Sequence, residues 1–423
     1  MPRRMRRKAG PLHRGSAATR HGPPRRARVR IFVFAPFGVH PPRSAGHIAV
    51  HAPLQLYAEH GNQVDLVTVG LRNFERRLPL SFQVEVHPGF REHRLVSPVR
   101  LAMQALRRTT RLPPIRLSDD LKRWMARPLV AELAQADVVQ IESPWAYAFV
   151  REHFDGPICF VSHNVECDLH EPALLAHGGT ALVDAARQAE GRAWRESELV
   201  LVYHRDEERR MRALYGDPTG ECRIQPVGAD VDALTPATNT ERERARNELE
   251  LPEGCIALFA GSAHAPNLEA VRFLEGLGPI AQQNGVFLLV AGSVTTAPRD
   301  FRGGTTTGPL PSLDACFQAA DIALNPMFAG SGMNQKVAQF LSRALPVLST
   351  PFGARGFEVG NEYGVIVANR EEYGASLVAL AADSERRRTL ATNARSYAVA
   401  QLSWNHIAKD RLTGFERLLT TKV

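Results

Sequence analysis

Residues Ala329 to Phe357 read AGSGMNQKVAQFLSRALPVLSTPFGARGF. The order decides the fold: a small-residue turn, a helical pattern, then a short apolar strand. Gly330, Ser331 and Gly332 carry little or no side chain, so a ligand can approach the backbone. A helix starting near Met333 leaves its first N–H groups unpaired, and together with the helix dipole these favour an anion. Counting about 1.5 Å per residue, Gln339 lies roughly 9 Å into that helix, about the step from a diphosphate to a ribose. Lys336, one turn earlier, shares its face. Leu345 to Thr350 is short, apolar and β-branched, the pattern of a buried parallel strand. The loop therefore belongs to an α/β domain, where it either cradles phosphate or makes a tight βα connection with no ligand.

Working outward, apolar runs alternate with helical patterns along the chain. The first series is Arg30 to Ala35, Val64 to Val69, Val138 to Glu142, Ile158 to Ser162, Leu199 to Tyr203 and Ile224 to Val227. A second follows: Ile256 to Ala260, Phe287 to Ala291, Ile322 to Asn325, Val347 to Thr350 and Gly364 to Val367. Such alternation predicts an α/β fold of doubly wound parallel sheets. The polar stretch Thr235 to Glu250 separates the two series. We divide the chain into a basic tail (1–27), an N-terminal domain (28–235), a C-terminal domain (236–401) and a final helix (402–423) with Ser403 as its N-cap.

A chain of 423 residues has room for two cores. Its hydrophobic share of 44% and charged share of 23% are ordinary for a soluble protein, and no apolar run reaches the roughly 18 residues of a membrane span. The net charge is +8, yet 11 of the 52 lysines and arginines fall in the first 30 residues with no acid among them, leaving 41 against 44 acidic residues. A nucleic-acid partner would rest on that tail alone and is not expected. The tail has the composition of a disordered segment. Its twin arginines followed by IFVFAPFGV imitate a secretory signal, but that run is better used as a first strand. The five cysteines form no C-x-x-C pair, so reduced thiols and a cytoplasmic location are expected, with no structural metal.

Several runs, in order, resemble one family: PPRSAGHIAVHAPLQLYAEHGNQVDLVTV from Pro41, FVSHNVE from Phe160, LVLVYHRDEERRMRALYG followed by IQPVGADVDAL, LFAGSAHAPNLEAVRFL from Leu258, the opening stretch, and LSWNHIAKDRL from Leu402. Together they cover roughly Arg28 to Leu419 and resemble family 4 glycosyltransferases (glycosyl transferases group 1). The resemblance implies the GT-B arrangement, two Rossmann-like domains facing across a cleft, with the last helix crossing back to the first domain. It also implies transfer of a hexosyl-type sugar, with retention, from a nucleotide-diphosphate donor to an acceptor hydroxyl, without cofactor or metal.

By the same resemblance, His163 contacts the transferred sugar or its phosphate. Its place at a strand end, at the carboxyl edge of a parallel sheet, fits either a site residue or a structural one. Gly46, in the first βα loop, closes on the diphosphate. Gly261, Ser262, Gly330, Ser331, Gly332, Met333 and Asn334 line the donor site, Gln339 holds the ribose, and Gly308 lies near the base. Where the family often has Arg and Lys, this chain has SAHAPN, leaving His264, Lys336, Arg355 and the helix dipole to neutralise the diphosphate. Lys336 is the first choice.

Two further departures stand out. The Glu expected at the ribose is Gln339, and a neutral acceptor makes a weaker bond than a charged one. The Gly expected before LPV is Ala344, which is strained if that residue is left-handed. A catalytically silent nucleotide-sugar-binding or scaffold protein is therefore the alternative reading. Asp230 and Asp232 form a D-x-D, read as structural because it falls in the interdomain run. Arg100 to Arg127 holds eight basic and two acidic residues interleaved with apolar ones, which fits either a solvated helix face or peripheral contact with an anionic membrane, and so a lipid-linked acceptor.

Overall fold

The computed structural model describes residues 28–69, 81–96, 114–330 and 332–420. Ser331, the tail and the first part of the basic stretch, residues 100–113, lie outside the described residues.

Two sheets organise the chain. The first contains β1 (Arg30–Ala35), β2 (Gln63–Val69), β3 (Ser81–His87), β4 (Phe90–Leu95), β5 (Val138–Ile141), β6 (Ile158–Val161), β7 (Leu199–Val202) and β8 (Glu221–Ile224), in the order β3-β4-β2-β1-β5-β6-β7-β8. The second contains β9 (Cys255–Ala260), β10 (Val286–Ala291), β11 (Arg299–Phe301), β12 (Gly304–Thr306), β13 (Ile322–Asn325), β14 (Val347–Ser349) and β15 (Val365–Val367), in the order β11-β12-β10-β9-β13-β14-β15. The pairings are parallel except β3 with β4 and β11 with β12. Central strands such as ICFV, LVLV and CIALFA are buried along their whole length, as strands covered by helices on both faces must be. This is the expected arrangement of two Rossmann-like domains.

Strand order reverses beside β1 and β9, the first strand of each sheet: β1 lies between β2 and β5, and β9 lies between β10 and β13. Loops leaving the carboxyl ends at such switch points form the ligand crevice of open α/β sheets. Here they include the segments after β5, β9 and β13.

Three sequence expectations shift. The strand expected over Ile224 to Val227 runs instead over Glu221–Ile224. It is an edge strand and needs no continuous apolar run, while Val227 is buried in the core cluster of the second domain. The antiparallel edges β3–β4 and β11–β12 were not anticipated, because their residues are polar and only partly buried. The polar stretch between the two series is partly helical, Asn239–Glu248, with Thr238 and Glu241 forming a reciprocal capping box.

Six helices position the site and its supports: α1 (Ala45–Glu59), α2 (Glu166–Glu196, broken at Gly179), α3 (Arg205–Tyr215), α4 (Ala265–Gln283), α5 (Gln335–Ser342) and α6 (Trp404–Thr420). The final helix α6 is capped by Ser403, whose Oγ accepts from the His406 N–H at 3.1 Å. It crosses back onto the first domain, where Phe415 meets Tyr57 edge to face at 5.9 Å. In the described part of the basic stretch, Leu117 and Leu121 are buried and Lys122 pairs with Glu152. Among the described residues no helix is long and apolar enough to cross a membrane.

Candidate active site in the interdomain cleft

The wall from the second domain starts where β13 ends. Asn325 donates to Ser349 Oγ at 3.0 Å and to Gly353 O at 2.9 Å, tying the ends of β13 and β14 together. The loop then turns through Gly330 (φ 134°) and Gly332 (φ 62°), conformations that disfavour side chains. Helix α5 starts at Gln335, two residues later than the sequence suggested. Gln339 is thus only four residues into it, and the span of roughly 9 Å shrinks to about 6 Å. Asn334 is the N-cap, but it spends its amide on Gly353 O at 3.1 Å and makes no side-chain cap. The helix entrance therefore has no side-chain cap; the Gln335 and Val337 N–H groups turn to Met333 O at 3.1 Å and Asn334 O at 2.9 Å, and the positive end of the dipole faces the loop.

Two cations stand beside this entrance. Lys336 Nζ donates to Asn267 Oδ1 at 3.0 Å, lies 3.8 Å from Met327 Sδ and sits 4.1 Å above the centre of the Phe259 ring. Burial pushes its ammonium down to about 7. Arg355 stacks 3.6 Å from the Phe352 ring centre, with Nε donating to Phe352 O at 3.1 Å and Nη2 to Gly332 O at 3.4 Å. Burial also lowers the Arg355 pKa, with Asp206 and Glu207 acting in the opposite sense. Neither cation forms an ion pair with a carboxylate among the described residues.

The first domain supplies the opposite side, where His163, Glu142 and Tyr203 form a bonded cluster that is itself outside the cleft lining. His163, just beyond β6, has Nε2 2.7 Å from Glu142 Oε2 and Nδ1 2.8 Å from the Tyr203 hydroxyl. Glu142 follows β5 and Tyr203 follows β7, so three neighbouring strand ends converge on one ring. His204 caps α3: its Nδ1 accepts from the Glu207 N–H at 3.1 Å, which leaves the ring hydrogen on Nε2. Burial, then the charge of Arg355, lower the His204 pKa to about 4. Glu207 accepts from Ser162 Oγ at 2.5 Å and Tyr203 N at 3.0 Å, and its burial raises its carboxyl to about 7.

These walls enclose a cleft of about 800 Å³. His264, Gly330, Gly332, Asn334 and Arg355 line it from one side; Asn164, His204, Asp206, Glu207 and Arg210 line it from the other. The loops nearly touch: a Cβ built on Gly332 would stand 3.1 Å from Asn164 Oδ1 and 3.2 Å from His163 O. Lys336 lies just behind Asn267 and Met327, which do line the cleft.

Other sequence candidates fall elsewhere. Gly46 is not in a loop but in the first turn of α1, with open space where a Cβ would be. The helix begins earlier than expected because Ser44 caps it. Met333 faces the domain junction, its Sδ accepting from Val227 N at 3.3 Å. Gly261 packs against the exit of β10, accepting from Val294 N at 3.1 Å, and Ser262 O receives the Asn267 amide at 2.9 Å. Gly308 (φ 64°) packs on Ala297. Gln339 is half-buried on α5, outside the cleft lining. Asp230 accepts from Ala233 N, closing a turn. Among the described residues no group of three or more His, Cys, Asp or Glu side chains could hold a metal ion.

Sequence reading missed Glu142, Tyr203, His204 and Glu207. The rule that found His163, a polar residue at the carboxyl end of a predicted strand, applies equally to Glu142, Tyr203 and His204. Glu207 was signalled only by its place three residues after the His204 cap.

Residues 254–383 match the family model Glycosyl transferases group 1. No curated protein matches the sequence. Among solved structures, sucrose-phosphate synthase from Thermosynechococcus elongatus superposes with a TM-score of 0.69 at 19% identity, over 93% of this chain and 100% of that one. The α,α-trehalose 6-phosphate synthase of Burkholderia multivorans gives 0.64 at 11% identity, over 93% and 100%. Anabaena HepE in complex with UDP-glucose gives 0.60 at 11% identity, over 92% and 100%. At these identities the likeness shows the fold, which is GT-B.

Proposed function

We propose that this chain is a glycosyltransferase that moves a sugar from a nucleoside-diphosphate donor to an acceptor hydroxyl, with retention at the anomeric carbon. The observation that carries the reading is the entrance of α5 without a side-chain cap, flanked by Lys336 and Arg355 without carboxylate partners among the described residues, facing Asn164 and His204 across the cleft. A leaving diphosphate gains negative charge, and preorganised N–H groups and cations stabilise that charge. Gly330 and Gly332 admit the phosphates, while Lys336, Arg355 and His264 neutralise them. Gln339 is the ribose contact we assign, with Gly261, Ser262 and Gly308 toward the nucleoside. We assign His163 to contact with the transferred sugar or its phosphate, and the departing phosphate accepts the acceptor proton. The match to the family over the second domain and the UDP-glucose bound by the Anabaena neighbour support a nucleotide sugar as donor.

The departures at Gln339 and SAHAPN favour a second reading, a nucleotide-sugar-binding protein without turnover. Calorimetric titration of the full chain with UDP, GDP and ADP and their common sugar conjugates tests both. Selective binding of one conjugate, followed by its slow hydrolysis or transfer, supports the enzyme; binding without consumption supports the silent form. No binding by a folded protein overturns both. For the acceptor, an anionic lipid carrier is our proposal from the basic stretch Arg100 to Arg127, with the chain acting at the cytoplasmic membrane face. Co-sedimentation with anionic and neutral vesicles checks it.

A further inference from the structure

As the cap of α3, His204 spends one ring nitrogen and keeps the other. Nδ1 accepts from the Glu207 N–H at 3.1 Å, so the ring hydrogen sits on Nε2. Serine, threonine, aspartate and asparagine cap a helix by the same bond, and a cap alone does not need an imidazole. Nε2 has no hydrogen-bond partner among the described residues, and it is not one of the fully buried unpaired atoms. The residue is only 7% exposed, and that remnant opens on the cleft, which it lines. Burial keeps the ring neutral at pH 7, so what it offers the cleft is a hydrogen bond rather than a charge.

A row of contacts crosses the floor of the cleft from this cap to the entrance of α5. Glu207 accepts from Ser162 Oγ at 2.5 Å, and the same hydroxyl lies 3.0 Å from Asn164 O. A Cβ on Gly332 would stand 3.1 Å from Asn164 Oδ1, and Gly332 O accepts from Arg355 Nη2 at 3.4 Å. His204 and Arg355 line the cleft at the two ends of this row. Arg355 Nη1 likewise makes no hydrogen bond among the described residues. The three carboxylates that line the cleft are engaged elsewhere: Glu207 with Ser162 and Tyr203 N, Asp206 with Arg209, and Asp168 with Arg210. Donors thus face the space from both domains, and no carboxylate of the lining is left to answer them. A ligand oxygen with negative charge and several lone pairs fits there.

We propose that His204 is a ligand-binding residue whose Nε2–H donates to a phosphate oxygen of the diphosphate held at the entrance of α5, opposite Arg355. That the anion is a diphosphate rests on the function proposed above. The bond is charge-assisted, since a neutral N–H meets an anionic oxygen. It gives the first domain its own hold on the leaving group, and it forms only with both sides of the cleft in place.

His204→Ser tests the contact, because serine keeps the cap of α3 and takes the donor out of the cleft. The full chain and this variant are titrated calorimetrically with UDP, GDP and ADP and their sugar conjugates. The diphosphate that the wild type prefers and its sugar conjugate should both weaken by about tenfold, the scale of one charge-assisted bond. Unchanged affinity for the diphosphate overturns the contact. So does a loss confined to the conjugate, which would put His204 on the sugar. In ¹⁵N-histidine spectra of the wild type, assigned with His204→Asn, a saturating amount of that diphosphate should move the Nε2 signal far more than Nδ1. An unmoved Nε2 also overturns the contact, and this reading decides if His204→Ser does not fold. A folded wild type that binds no diphosphate sinks the proposed function and this contact with it; binding that ignores residue 204 sinks the contact alone.

Discussion

Nε2 of His163 lies 2.7 Å from Oε2 of Glu142, and the opposite nitrogen is held by the Tyr203 hydroxyl at 2.8 Å. The ring is oriented before any ligand arrives, which is how positioning groups contribute to rate rather than to affinity. His163→Ala should therefore lower turnover by about 10²-fold while changing donor affinity far less. Steady-state rates alongside calorimetric donor titration separate the two quantities. An equal loss in both would make His163 a structural residue.

Gln339 stands four residues into α5 and makes no side-chain hydrogen bond among the described residues. If a ribose hydroxyl donates to it, replacing the neutral amide by a carboxylate gains about 1 kcal/mol. Gln339→Glu should then tighten the donor by about tenfold or somewhat less, seen by calorimetry. Unchanged or weaker binding would place the ribose elsewhere.

Ala344 has φ 55° at the end of α5, with its own N–H on Leu341 O at 3.0 Å and the Leu345 N–H on Phe340 O at 3.0 Å. This is the left-handed helix cap that glycine fills without strain. Ala344→Gly should raise unfolding stability by about 0.5–1 kcal/mol, the relief being partly offset by the freer unfolded chain. Urea denaturation reads this directly, and a loss of stability would mean that the methyl group packs better than the backbone suffers.

The left-handed cap was legible because the sequence departs there from a pattern with a physical reason. So were the central strands, whose uninterrupted apolar runs leave no alternative to burial on both faces. The edge strands β3, β8 and β11 were not, since a half-exposed edge tolerates charge and carries no period that a reader can count. Gly330 and Gly332, which line the cleft, and Lys336 behind it were legible as helix-entrance residues because that geometry is local. Glu142 and Tyr203 meet around His163 only through strand order, and no spacing along the chain encodes that. Gly46 shows the reverse failure: a loop role carried over from a resemblance fell on a residue that a local cap, Ser44, had already drawn into a helix.

Lys336 gives the sharpest pH test. Desolvation pushes its ammonium down to about 7 in the unliganded fold, against about 10.4 in the unfolded chain. Between those values the unfolded state holds the extra proton, so stability rises with pH through this window and the penalty is fully present below about 7. Lys336→Met should abolish that part of the slope and unfold at higher urea than wild type at pH 6, while the two converge near pH 10. A diphosphate beside the ammonium reverses the balance by favouring the charged form. Donor binding at pH 8 should therefore take up a substantial fraction of a proton, measured as the dependence of the calorimetric heat on buffer ionisation enthalpy, and affinity should weaken as pH rises from 7 to 9. In Lys336→Met both the uptake and that weakening should vanish, with affinity at neutral pH reduced by at least about tenfold, the scale of one lost charge-assisted bond. Proton uptake that persists in the variant would assign the titration to another group and remove Lys336 from the phosphate site.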